Sequence, residues 1–165
     1  ALARACGVTM EPAHFSSLSI VPLLGGYDFS FGCPSEQLLQ VWMDLRSCEW
    51  GDDTVSSDVN QYFLDQNIDF LKTENETIIS FSHFLPRIDV MPLFIPLSMR
   101  YIYPVLGSAL NDAQVRQLGV SVHVYGRSHV NWNVTIDGVR YINNAYGYPG
   151  EEHLALKQLR CIYEE

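Results

Sequence analysis

The 165-residue chain lacks any uncharged apolar run of the length, about 18 residues, that a membrane helix needs. Its nearest candidate, Met91 to Pro104, is interrupted by Arg100 and by Pro92, Pro96 and Pro104, so no membrane span is expected. Basic residues are scarce: 10 Lys and Arg stand against 19 Asp and Glu, for a net charge of −9. A surface of that sign repels a phosphate backbone, which excludes general nucleic-acid binding. Closely spaced cysteine pairs are missing too. Cys6, Cys33, Cys48 and Cys161 lie far apart with no Cys-x-x-Cys, which fits neither a zinc knuckle nor a disulfide scaffold. Reduced, mostly buried thiols and an intracellular location, in an organelle or elsewhere, are expected. The start Ala1-Leu2-Ala3-Arg4 has no initiator Met and no basic-then-apolar leader, so a processed or truncated beginning is expected.

Apolar residues make up 47% of the chain and aromatic residues 12%, enough for a packed core and too much for a disordered tail. The length suits one domain over residues 1–165. Residues up to Gly7 read as the last turn of a helix with Gly7 as its stop. Ser19 to Leu24, closed by Gly25-Gly26, reads as a strand, with Pro22 marking an edge position or a bulge. Ser35 can cap a helix to about Arg46, carrying Leu38, Leu39, Val41, Trp42 and Leu45 at helical spacing, and the acidic stretch around Gly51-Asp52-Asp53 breaks it. A second, imperfectly periodic helix is expected from Ser57 to about Lys72. Thr77 to Ser82 is apolar on both parities, as a strand buried on both faces would be. The prolines hold Met91 to Gly107 in a long loop. Ser108 caps a helix that Gly119 stops, Val120 to Tyr125 forms a strand, and Asn131 to Ile142 folds as a hairpin about Asp137-Gly138.

In layered α/β proteins, ligands collect in the crevice at the carboxyl ends of strands. His83 closes the strand from Thr77, and His129 lies in the turn that closes the strand from Val120, so two strands deliver imidazoles to one edge. Neutral imidazole is the commonest metal ligand and titrates near neutrality, which marks the pair as a metal or acid–base site. His123, out of phase with His129, is expected to be a packed or paired strand residue. Trp42, Trp50 and Trp132 are expected as core or interface anchors.

Ser80-Phe81-Ser82-His83-Phe84-Leu85-Pro86-Arg87, followed by Gly126-Arg127-Ser128-His129-Val130-Asn131, resembles the last two signature blocks of the calcineurin-like metallophosphoesterases. Asp137 to Asn144, with Gly147-Tyr148-Pro149, is similar to the segment that follows them in one branch of that family. The resemblance covers most of the chain from Pro22 onward. It implies an α/β fold, a layered β-sandwich with flanking helices, of which this chain holds the C-terminal half. It also implies a phosphoester hydrolase in which two divalent metals, manganese, iron or zinc, clamp the phosphate of a small-molecule substrate. On the same basis His83 binds one metal and His129 the other.

The last block reads Gly-His-x-His in that family, and Arg127 stands here in place of its first histidine. A guanidinium only donates and keeps its charge, so Arg127 repels a cation and is expected to bind an anion through its fork. The family's earlier blocks, Asp-x-His, Gly-Asp-x-x-Asp and Gly-Asn-His, do not occur between Ala1 and Ser82. The expectation is therefore an incomplete hydrolase domain whose activity is lost or depends on an N-terminal half lying elsewhere. The alternative is a non-catalytic structural or interaction subunit of a larger assembly, built on a degenerate phosphoesterase fold. In both cases a protein partner or the missing N-terminal segment is expected to cover apolar sheet surface left bare.

Overall fold

The computed structural model describes residues 5–50, 56–73 and 75–164. The break expected at Gly51-Asp52-Asp53 lies outside that set, as do residues 1–4 of the turn expected to end at Gly7, where φ is 74°. Six strands form one sheet: Ala13–His14 (β1), Leu18–Pro22 (β2), Thr77–Phe81 (β3), Val122–Tyr125 (β4), Trp132–Ile136 (β5) and Val139–Asn143 (β6). Their order is β1-β2-β3-β4-β6-β5. The central run β2-β3-β4-β6 is parallel, and β1 and β5 pair antiparallel at the two edges. The fold is thus mixed α/β. The expected sandwich of two sheets is corrected: all the described strands belong to a single sheet, and helices and loops form the layer against it.

Local chemistry accounts for most elements. The β5–β6 turn needs positive φ at both central residues, and Asp137 (φ 49°) and Gly138 (φ 85°) provide it. β1 pairs only with Ser19 and Ile20, so Pro22 lies past the end of β1, where its missing N–H breaks no ladder. Glu36–Val41 (α1) starts at Ser35, whose Oγ accepts from the Leu38 amide at 3.2 Å. The single helix expected over 35–46 is two, because Trp42 adopts extended geometry (ψ 119°) before Met43–Ser47 (α2). Ser56–Gln66 (α3) likewise gives way to a separate 3-10 turn, Ile68–Lys72, instead of continuing. Between them Asn67 is fully buried: its Oδ1 accepts from the Leu24 amide at 2.9 Å, and its Nδ2 donates to Leu24 O and to Gln114 Oε1, each at 2.7 Å. Ala109–Leu118 (α4) is capped by Ser108 and stopped by Gly119 (φ 71°), as the sequence indicates.

The segment 91–107 contains a 3-10 helix, Leu97–Val105, and ends at Gly107, where a parallel bridge joins it to Leu85. A Cβ on Gly107 would lie 1.9 Å from the Leu85 carbonyl oxygen, so only glycine permits this approach. The main core sits on one face of the sheet, where Val21, Ile78 and Tyr141 pack with Val115 and Leu118 of α4 and with Leu85, Val90 and Leu106. On the other face Ile79, Val122 and Ile142 are buried, with Leu18, Val124, Ile162 and Tyr163 packed partly over them and Phe81 left 44% exposed.

The expectation of buried thiols is corrected as well: Cys6, Cys33, Cys48 and Cys161 are all exposed. Each lies outside the helices and strands, in a turn or connection that packs no face against the core. Among the described residues no helix is long and apolar enough to cross a membrane.

Candidate functional site

Because β3 and β4 are parallel neighbours, the loops that follow them leave the sheet at the same edge. Hydrogen bonding continues beyond the strands: the Ser82 amide donates to Val124 O at 2.9 Å, and the Gly126 amide donates to His83 O at 3.2 Å. Gly126 lets the imidazole lie against the backbone, since a Cβ there would come 3.3 Å from His83 Nδ1. Asn143, fully buried at the end of β6, donates through Nδ2 to Gly126 O and, at 3.0 Å, to Ser128 Oγ. Three strand ends therefore fix the loop 126–129. Within it Arg127 (φ 27°) and His129 (φ 54°) take the left-handed region without being glycine. Such residues cost of order 1–3 kcal/mol each and cluster where a structure holds a side chain for use.

The Arg127 side chain is 17% exposed and lies between aromatic faces, its guanidinium 4.9 Å from the Phe84 ring centre and 5.2 Å from that of Trp42. Its Nη2 donates to Asp44 Oδ2 of α2 at 2.5 Å, and among the described residues its Nη1 makes only a long 3.4 Å contact with His83 Nε2. Nε is buried without a hydrogen bond. Trp42 serves this cluster from below, its Nε1 donating to the same Asp44 oxygen at 3.2 Å. This is why the backbone leaves helical geometry between α1 and α2. Burial is the main cause that holds the His83 imidazole below its ordinary pKa; positive charge on Arg127 and His129 adds to it, and Asp44 opposes. His83 is thus a neutral acceptor beside a permanent cation. Tyr27 is pushed up to about 12, by burial first and then by Asp44.

His129 is held from a different part of the chain. Its Nδ1 lies 2.8 Å from Glu151 Oε2, and the same oxygen accepts the Tyr148 amide at 2.7 Å. These two bonds keep the Glu151 carboxyl below the usual carboxylate range, with the Tyr148 amide the larger influence. The Tyr148 ring meets the imidazole edge-on at 4.9 Å. The Asn131 amide docks this segment by donating to Leu154 O at 2.9 Å.

The structure therefore brings His83, Arg127 and His129 to one edge, as the sequence reading requires. It adds Asp44 and Glu151, which that reading missed. Among the described residues no group of three His, Cys, Asp or Glu converges as a metal ion requires. The donors expected to bind metal, His83 and His129, do not form such a set, and a guanidinium stands at the Nε2 of His83. His123 is fully buried between Ser80 Oγ (2.8 Å to Nδ1) and Ser82 Oγ (3.1 Å to Nε2), a paired strand residue as expected.

No family model matches the chain, and no curated protein matches it. Among solved structures it is similar to the phosphopantetheinyl hydrolase (PptH) from Mycobacterium tuberculosis, with a TM-score of 0.71 and 20% sequence identity. The match covers 92% of this chain and 60% of that one, so the chain spans 60% of the length of the structure it resembles. The expected membership of the calcineurin-like metallophosphoesterases, and the function that came with it, are corrected accordingly. The motif likeness draws no family match, and a structure that the fold resembles is that of a phosphopantetheinyl hydrolase. At this identity the comparison establishes the fold alone, a mixed α/β sheet.

Proposed function

We propose that the chain is the anion-recognising part of a hydrolase whose substrate carries a phosphate, as the phosphopantetheinyl group does, with Arg127 as the anchor. The observation that carries this reading is the state of the Arg127 guanidinium. One arm is committed to Asp44, while the other makes, among the described residues, only a 3.4 Å contact with His83, at the carboxyl ends of two parallel strands. A phosphate oxygen at Nη1 would gain a charge-assisted hydrogen bond of about 1.5–3 kcal/mol. His83 then serves, through its Nε2 lone pair, as a partner of Arg127 instead of a cation ligand. Net charge −9 disfavours an anion over most of the surface, and with Asp44 and Glu151 also at this edge it is the uncommitted arm of Arg127 that draws one here. The half-covered sheet face around Phe81 is where further polypeptide packs in this reading.

Titration calorimetry with phosphopantetheine tests the proposal. Saturable binding by the wild-type chain, weakened at least about tenfold in Arg127→Leu, is the expected result, tenfold being about 1.4 kcal/mol. Equal affinity in the two proteins, or no binding to the wild type, contradicts it.

A further inference from the structure

We infer that Glu151 is a positioning residue that holds His129 as the proton acceptor for the hydrolytic water; the inference rests on the hydrolase reading above. A neutral imidazole has one N–H and one lone pair, and the bond made by one nitrogen decides which the other presents. Glu151, as a carboxylate, only accepts, so the 2.8 Å contact places the proton of a neutral His129 on Nδ1 and leaves the lone pair on Nε2. No hydrogen bond engages that Nε2 among the described residues. Glu151 is itself fixed, since its Oε2 also accepts the Tyr148 amide at 2.7 Å and its carbonyl accepts the Leu154 and Ala155 amides, each at 2.9 Å.

The turn is built around this carboxylate. Gly147 has φ 68°, and a Cβ there would lie 3.0 Å from Glu151 Oε2 and 2.9 Å from Ala155 Cβ, so only glycine lets the chain close so tightly on it. On the other side of the pair, the left-handed backbone of His129 is pinned through Asn143 and Ser128. Strained backbone at His129 and glycine-dependent backbone at Gly147 are thus spent to bring one imidazole against one carboxylate 22 residues away.

In the step this serves, the water oxygen bonds to the electrophilic centre of the substrate while the water proton passes to His129 Nε2. The bond to the leaving group breaks with its electron pair, and the proton held on Nε2 then passes to the leaving group. Arg127 neutralises the anionic part of the substrate, and Glu151 stabilises the imidazolium between the two proton transfers.

The test uses chain labelled with ¹⁵N in its histidine rings. In the wild type the His129 signals are expected to report a proton on Nδ1 and none on Nε2. Glu151→Met keeps the length of the side chain and removes the acceptor, and is expected to abolish that preference. Glu151→Gln, which retains an acceptor oxygen, recovers part of it. Nitrophenolate release from nitrophenyl phosphopantetheine is expected to fall at least about 100-fold in kcat for Glu151→Met with KM unchanged, the low end of what general acid–base catalysis contributes. A wild-type His129 carrying its proton on Nε2, or a tautomer unmoved by Glu151→Met, overturns the inference. So does a changed tautomer with an unchanged kcat. Absence of turnover in the wild type refutes the hydrolase reading instead, while the ring spectra still decide whether Glu151 sets the tautomer.

Discussion

Lowering the pH from 7.5 to 5.0 destabilises this protein through His123, and the size of the loss follows from the way the ring is buried. The imidazole is fully enclosed in the sheet, with one serine hydroxyl against each nitrogen. Ser82 Oγ donates to Phe84 O at 2.7 Å, so it accepts from Nε2–H, and Nδ1 accepts from Ser80. Every donor and acceptor of the neutral ring is satisfied, and among the described residues no ion pair engages it. Burial lowers the pKa from 6.5 to about 3. Between those values the unfolded chain binds a proton that the folded chain refuses, so stability falls as pH falls through 6.5. At pH 5 an ordinary imidazole is protonated in a ratio of roughly 30 to 1, which costs the folded state about 2 kcal/mol. At pH 7.5 the corresponding cost is about 0.1 kcal/mol.

Urea unfolding of the wild type and of His123→Gln at both pH values isolates this contribution. The carboxylates and the other histidines titrate in both proteins and cancel in the comparison. The wild type is expected to lose about 2 kcal/mol more than the variant on acidification. Equal losses would refute the argument that a neutral, desolvated His123 joins β3 to β4.

Two further substitutions probe other parts of the account. Asp44→Asn removes the carboxylate that occupies one arm of Arg127, and phosphopantetheine is expected to bind up to about tenfold more tightly by calorimetry, the worth of one charge-assisted hydrogen bond. Weaker binding would mean that Asp44 holds the guanidinium in place instead of competing with the ligand. Gly107→Ala forces a Cβ to within 1.9 Å of Leu85 O, a collision of backbone with backbone that no rotamer relieves. It is expected to cost more than about 4 kcal/mol in denaturant unfolding, and a loss below about 1 kcal/mol would show that the Leu85–Gly107 bridge is dispensable.

The elements legible in the sequence are those whose determinants are local. β3 is a β-branched run, the β5–β6 turn is an Asp-Gly pair, and α4 has a serine cap and a glycine stop, and each folds where its own residues place it. The readings that failed locally were overridden by distant partners. Trp42 breaks the helix expected over 35–46 because its ring and Nε1 are engaged by Arg127 and Asp44, and Asn67 breaks the next helix by bonding to Leu24 and Gln114. Spacing also led to the two histidines and the arginine at the strand ends, because parallel strands deliver their following loops to one edge. Asp44 and Glu151 were beyond that logic, since neither lies at a strand end and each reaches the site only through tertiary packing. The second sheet came from a motif likeness, and the described strands build a single sheet.

The central claim, that Arg127 anchors the anionic part of a substrate at this edge, is met most directly by a crystal structure of the chain with phosphopantetheine bound. The account predicts a phosphate oxygen within about 3 Å of Arg127 Nη1. A phosphate seated elsewhere, with the Arg127–Asp44 pair and the His83 contact undisturbed, would contradict it.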